Sequence, residues 1–186
     1  MNFWIKIAAA LVAVWLAAAV AVHFARSAKP TPESVSAFFQ PEKLDGKSPG
    51  ERAKLIDKGA AMLNRLSFEE RGQLRRDHVS EKFFLKLTKD EQGRFLDAAL
   101  PAGFKQMMDA FNKMEREKRR EFVTRALDEM KKHEGEAPEH DINDPNIRRI
   151  IDQGLRSFYN DSTAEVKLDL SPLIEQMQRN LQSFGK

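Results

Sequence analysis

Residues 3–25 read FWIKIAAALVAVWLAAAVAVHFA, 23 positions with one full charge, Lys6. As a helix this segment is about 35 Å long at 1.5 Å rise per residue, against a hydrocarbon core of about 30 Å. Ile7 to Val22 is uncharged throughout. Helical backbone satisfies its own polar groups, so such a run is stable in lipid, and the sequence predicts a transmembrane signal anchor over residues 1–26. Lys6 can snorkel to the headgroups, Trp4 suits the interface, and Arg26 closes the far end. A competing outcome is cleavage after Ala17-Ala18-Ala19 or Ala19-Val20-Ala21. The apolar run exceeds an ordinary signal-peptide core, which favours retention. Ala9, Ala13, Ala17 and Ala21 lie four apart, a small-residue face on which two such helices could pair as a homodimer. A very short N-terminal tail before a large polar part places the chain in the inner (cytoplasmic) membrane as a single-pass protein. Residues 27–186 are then periplasmic or otherwise extracytoplasmic.

The 186-residue chain leaves room beyond the anchor for one small domain. It has no cysteine, so disulfides and thiolate metal sites are excluded. Nine Gly, eight Pro and 32 % charged residues suit helices with solvated faces. The net charge of +3 is unevenly spread: residues 41–132 carry 22 Lys and Arg against 17 Asp and Glu, and residues 133–170 carry 4 against 9. This basic body and acidic stretch are expected to pair within the fold.

Residues 27–47 hold three prolines and a short apolar patch, Val35, Phe38 and Phe39, and read as a juxtamembrane linker with a turn or two of helix from Thr31-Pro32. The helical domain is expected over 48–186. Ser48, Ser67 and Thr88 are each followed three residues later by Glu51, Glu70 and Glu91. In such a capping box the hydroxyl accepts from the N3 amide and the carboxylate accepts from the cap amide. Three helix starts follow, and with a further short segment they give helices over Pro49–Asn64, Phe68–Asp77, Glu81–Leu87 and Lys89–Leu100. Leu100-Pro101-Ala102-Gly103 reads as a break. One long helix then runs from about Phe104 to Lys132, its charged MEREKRREF middle solvated or bridging two packed ends. Asp144-Pro145 starts a helix to about Tyr159, and Ser171-Pro172 starts the last. Residues 163–170 read as a short helix or extended connector without a partner strand. The fold class is therefore all-α: a transmembrane helix plus a small multi-helix domain of short capped helices and one long helix.

The helix starts Leu66-Ser67-Phe68-Glu69-Glu70-Arg71 and Leu87-Thr88-Lys89-Asp90-Glu91-Gln92 share the pattern L-[ST]-x-x-E-[RQ]. It resembles starts reiterated in uncharacterised single-pass bacterial envelope proteins. It is also similar to the L-T-x-x-Q motif of small periplasmic helical-hairpin stress proteins, from which it departs by placing Gln92 one position late. The resemblance implies an envelope location and carries no functional residue with it.

Candidate chemistry is sparse. His133, Glu136, His140 and Asp141 lie in an acidic loop, 133–144, and offer the donors that divalent metals use. Their spacing matches no ligand motif. HExxH would need a His at Ala137, and a calcium loop would need Gly where Asn146 stands. A solvated loop is the expected state, with no metal and no cofactor. Phe104, Met107, Met108 and Phe111 form an apolar stripe that is either core or an adaptable surface for client peptides. Arg116, Lys118, Arg119 and Arg120 alternate with glutamates and lack interleaved aromatics, which argues against nucleic acid and leaves lipid headgroups as the better anionic partner. His78 and Ser80 show no carboxylate to orient the imidazole.

With no catalytic motif, the expected function is a non-enzymatic, membrane-anchored interaction or scaffolding module of the bacterial cell envelope, whose partners are the bilayer and another envelope protein. Two alternatives are a cleaved periplasmic helical chaperone using the Met/Phe surface and a metal-dependent enzyme or sensor using the 133–144 loop.

Overall fold

Three reciprocal capping boxes fix the first half of the domain. In the computed structural model, which describes residues 29–76, 78–132, 141 and 143–184, Ser48 and Thr88 each accept from the N3 amide of Glu51 and Glu91, and each glutamate returns to the cap amide. Ser67 and Glu70 make the same exchange. A fourth box, Thr31 with Ser34, opens the first described helix.

The order is α1 (Pro32–Phe38), a 3-10 turn (Pro41–Leu44), α2 (Pro49–Asn64), α3 (Phe68–Arg76), α4 (Val79–Leu85), α5 (Lys89–Lys113), α6 (Arg116–Lys132), α7 (Pro145–Asp161) and α8 (Ala164–Phe184). The described residues are all-helical, as expected, with no strand among them, and Thr31–Lys186 forms one compact unit. Among these helices none is long and apolar enough to cross a membrane. The predicted anchor, with Trp4, Lys6, Arg26 and the Ala9, Ala13, Ala17, Ala21 face, lies outside the described residues.

Two apolar clusters make the core. The first gathers Val35, Phe38, Phe39 and Leu44 with Ile56, Ala60, Leu66, Leu74, Phe83, Leu87, Phe95 and Ala99. Phe39 is its hub, edge-on to Phe83 at 5.0 Å and to Phe95 at 5.9 Å. A Cβ on Gly59 would sit 2.9 Å from the Phe39 ring, so only glycine lets that ring lie against α2. Residues 31–44 are thus part of the core, and the compact unit begins at Thr31 instead of residue 48. The second cluster holds Met108, Phe111, Val123, Phe158, Val166 and Leu170.

α5 contributes to both clusters, and this explains a difference from the sequence expectation. The helix continues through Pro101 and Gly103 to Lys113. An interior proline costs about 3 kcal/mol. Burial of each large apolar side chain returns about 1.5–3 kcal/mol, and Phe95, Leu96, Met108 and Phe111 lie on both sides of the proline. The expected long helix from Phe104 to Lys132 is instead divided at Met114, which is extended (φ −75°, ψ 141°). Likewise α8 begins at Ala164 and runs through Pro172, because Val166 and Leu170 before the proline and Leu173 and Ile174 after it serve one core.

Arg52 ties the capping boxes together. It donates Nε and Nη2 to Glu91 at 2.7 Å each, and Nη1 to the Leu44 carbonyl at 3.1 Å. The Arg52 hydrogen bonds, reinforced by the Thr88 cap amide, outweigh burial and hold Glu91 down at about 2. A carboxylate depressed from 4.5 stabilises the fold fully above pH 4.5 and loses that contribution as pH falls toward 2. The shift corresponds to about 3 kcal/mol. Glu91→Gln is expected to lower stability at pH 7 by about 2 kcal/mol and to flatten the stability profile between pH 4.5 and 2. Urea titrations across that range check both effects.

Candidate functional site

The charge run of α6 does not face solvent uniformly. Arg119 is 3 % exposed and Asp169 of α8 is 4 % exposed, and they meet at 2.9 Å. Arg119 also reaches Glu165 at 2.7 Å. Its Nη1 donates to the Met114 and Phe111 carbonyls, so this side chain satisfies acceptors left open where α5 ends. Arg116 and Arg120 approach the other Asp169 oxygen at 3.5 and 3.7 Å. Burial alone would raise the Asp169 pKa, but the Arg119 hydrogen bond and the charges of Arg119 and Arg116 keep it below the usual carboxylate range. Burial likewise opposes the Arg119 charge, and Asp169 and Glu165 restore it.

This cluster is a joint between three helices, and it makes Arg116, Arg119 and Arg120 poor candidates for an external anion. The expected internal pairing of basic body and acidic stretch is met here and again where Lys89 bonds Asp144 at 2.5 Å. Glu165 and Asp169 were not among the sequence candidates. Their signal is an acidic i,i+4 pair beside the core positions Val166 and Leu170.

The Met/Phe stripe is half core and half partly exposed, with Phe104 and Met107 only half-buried. Met108 and Phe111 are buried in the second cluster, Met107 packs against it, and the Phe104 ring lies where a Cβ on Gly154 would be 3.3 Å away. The four side chains therefore do not form an open client surface, because α7 covers the α5 face that carries them. Of the metal candidates, His133, Glu136 and His140 lie outside the described residues. Asp141 accepts from the Asn143 amide at 2.8 Å in a local turn. Among the described residues no group of three or more His, Asp or Glu could hold a metal. His78 does have a carboxylate, Glu81, at 2.8 Å, but both side chains are exposed. His78 itself is left-handed (φ 52°) before α4.

A groove of about 220 Å³ runs along α5 and α7, lined by Leu96, Leu100, Pro101, Arg149, Asp152 and Arg156. Beside it Arg94 grips Asp57 with two 2.7 Å bonds, and Arg149 meets Asp97 at 3.2 Å and Asn146 at 2.8 Å. The Arg94 hydrogen bonds lower the Asp57 pKa against the opposing effect of burial. The groove combines a few apolar side chains with charges of both signs. Such a surface suits side chains of another polypeptide better than a small anion. Arg71 is a different case: its guanidinium is half-buried, bonds Asn64 at 3.0 Å, and has its Nε buried without an acceptor. A Cβ on Gly103 would sit 2.9 Å from its Nη1, so the Arg71 side chain packs directly against α5 at this glycine.

No protein-family model, curated protein or solved structure matches this chain.

Proposed function

We propose that this protein is a single-pass, membrane-anchored helical module of the bacterial envelope that works by binding another envelope protein. The observation that carries the reading is the uncharged run Ile7–Val22, bounded by Lys6 and Arg26. Four residues separate Arg26 from Thr31, the cap of α1. The helical domain supplies a mixed-charge groove on α5 and α7; α5 runs through both apolar clusters, and a buried ion cluster ties α6 and α8 to its end. Rigid placement of a polar groove fits a scaffolding role.

Crosslinking in native membranes tests this function. The reading expects a discrete adduct between this chain and a second envelope protein, diminished when Arg149 and Arg156 are both replaced by Glu. Recovery of the chain without any adduct to another protein would contradict it.

A further inference from the structure

The carboxylates of the first half of the domain are mostly engaged elsewhere. Asp45 pairs with Lys86 at 2.7 Å, Asp57 with Arg94 at 2.7 Å, and Glu51 closes its own capping box. Three exposed lysines, Lys43, Lys54 and Lys58, have no ion-pair partner among the described residues. Lys54 and Lys58 lie one turn apart on α2 and share a face. Lys43 and Lys58 both lie against the Phe38 ring, their Nζ atoms 5.3 and 5.5 Å from its centroid. The two ammonium groups are therefore within about 11 Å of each other. Lys43 is also fixed by donating to the Ala37 carbonyl at 2.6 Å.

A buried ring thus holds two cations together, and a third sits one helical turn away. The result is a basic patch without an ion-pair partner among the described residues, which an external anion would complement. Glu42, on the same 3-10 turn as Lys43, is the nearest carboxylate in sequence and makes no ion pair with it.

We propose that Lys43, Lys54 and Lys58 form a docking surface for the phosphate groups of anionic lipid. This rests on the anchored reading, under which the cluster follows a membrane segment in the same chain: Lys43 stands 17 residues after Arg26. Lipid is the occupant the observations favour. The one aromatic ring beside these lysines, Phe38, is buried and not open to stack a base, and a juxtamembrane lysine cluster is attracted to an anionic leaflet. The Arg116–Arg120 run, the other basic candidate, is already engaged within the fold, its arginines by Asp169 and Glu165 and Lys118 by Glu115.

The test uses the full chain in nanodiscs of phosphatidylcholine alone or with about one third phosphatidylglycerol. Amide hydrogen exchange is read over 32–64. On the anionic discs exchange is expected to slow by at least about threefold, with about fivefold of lipid affinity carried by each lysine. The protection should vanish at high salt and in Lys43→Gln/Lys54→Gln/Lys58→Gln. These surface substitutions leave both apolar clusters intact, and unchanged exchange over 89–113 checks this. Equal exchange on both disc types, or protection retained in the triple variant, overturns the proposal. Incorporation separates the two readings. A chain that inserts into both discs but shows no lipid-dependent protection refutes the docking surface alone. A chain that fails to insert refutes the anchor.

Discussion

Replacement of Arg119 by Ala is expected to lower the melting temperature by about 10 °C. The substitution leaves Asp169 buried without its closest cation and strips donors from the Phe111 and Met114 carbonyls. Removing one member of a buried pair costs far more than the pair contributes in net terms, since the remaining charge stays desolvated. Two controls separate this from loss of packing. Asp169→Ala should destabilise comparably. Arg119→Met with Asp169→Leu should recover most of the loss, because an apolar pair of similar volume carries no desolvation penalty. If the double variant is less stable than either single one, the cluster stabilises by some means other than charge compensation. Differential scanning calorimetry of the four proteins closes the cycle.

Phe39→Ala is the second large effect. The ring is fully buried and edge-on to Phe83 and Phe95, with Phe38 at 5.7 Å. Deleting a buried Phe costs about 3–5 kcal/mol through lost transfer energy and the cavity left behind. At about 2–4 °C per kcal/mol for a chain of this size, the melting temperature should fall by about 6–20 °C. Phe122→Ala, at a ring 40 % exposed, should cost much less. A small effect at Phe39 would mean that residues 31–44 are a tether after all.

The sequence made the capped starts legible because a capping box is a local device: Ser48–Glu51 and Thr88–Glu91 need no distant residue to form. Helix ends were harder to read. Pro101 and Pro172 carry strong local stop signals, and both were overridden by apolar residues on either side that belong to one packed face. The break at Met114 has no glycine or proline to announce it. It depends on Arg119 reaching back to the α5 carbonyls and on Asp169, which lies 50 positions further along the chain. The same separation hid the ion cluster, since Arg116–Arg120 reads as a solvated face until α8 is placed. The core role of Phe39 was also obscured, because three prolines and a lone apolar patch look like a linker when Phe83 and Phe95 are out of view.

Carbonate extraction of native membranes, followed by intact-mass measurement of the recovered chain, tests the membrane-anchored reading most directly. The account predicts that the chain stays in the membrane pellet at pH 11 with residues 1–26 present, at a mass near 21.3 kDa. Full-length chain in the soluble fraction, or a mature N-terminus close to Ala19 or Ala21, would contradict it.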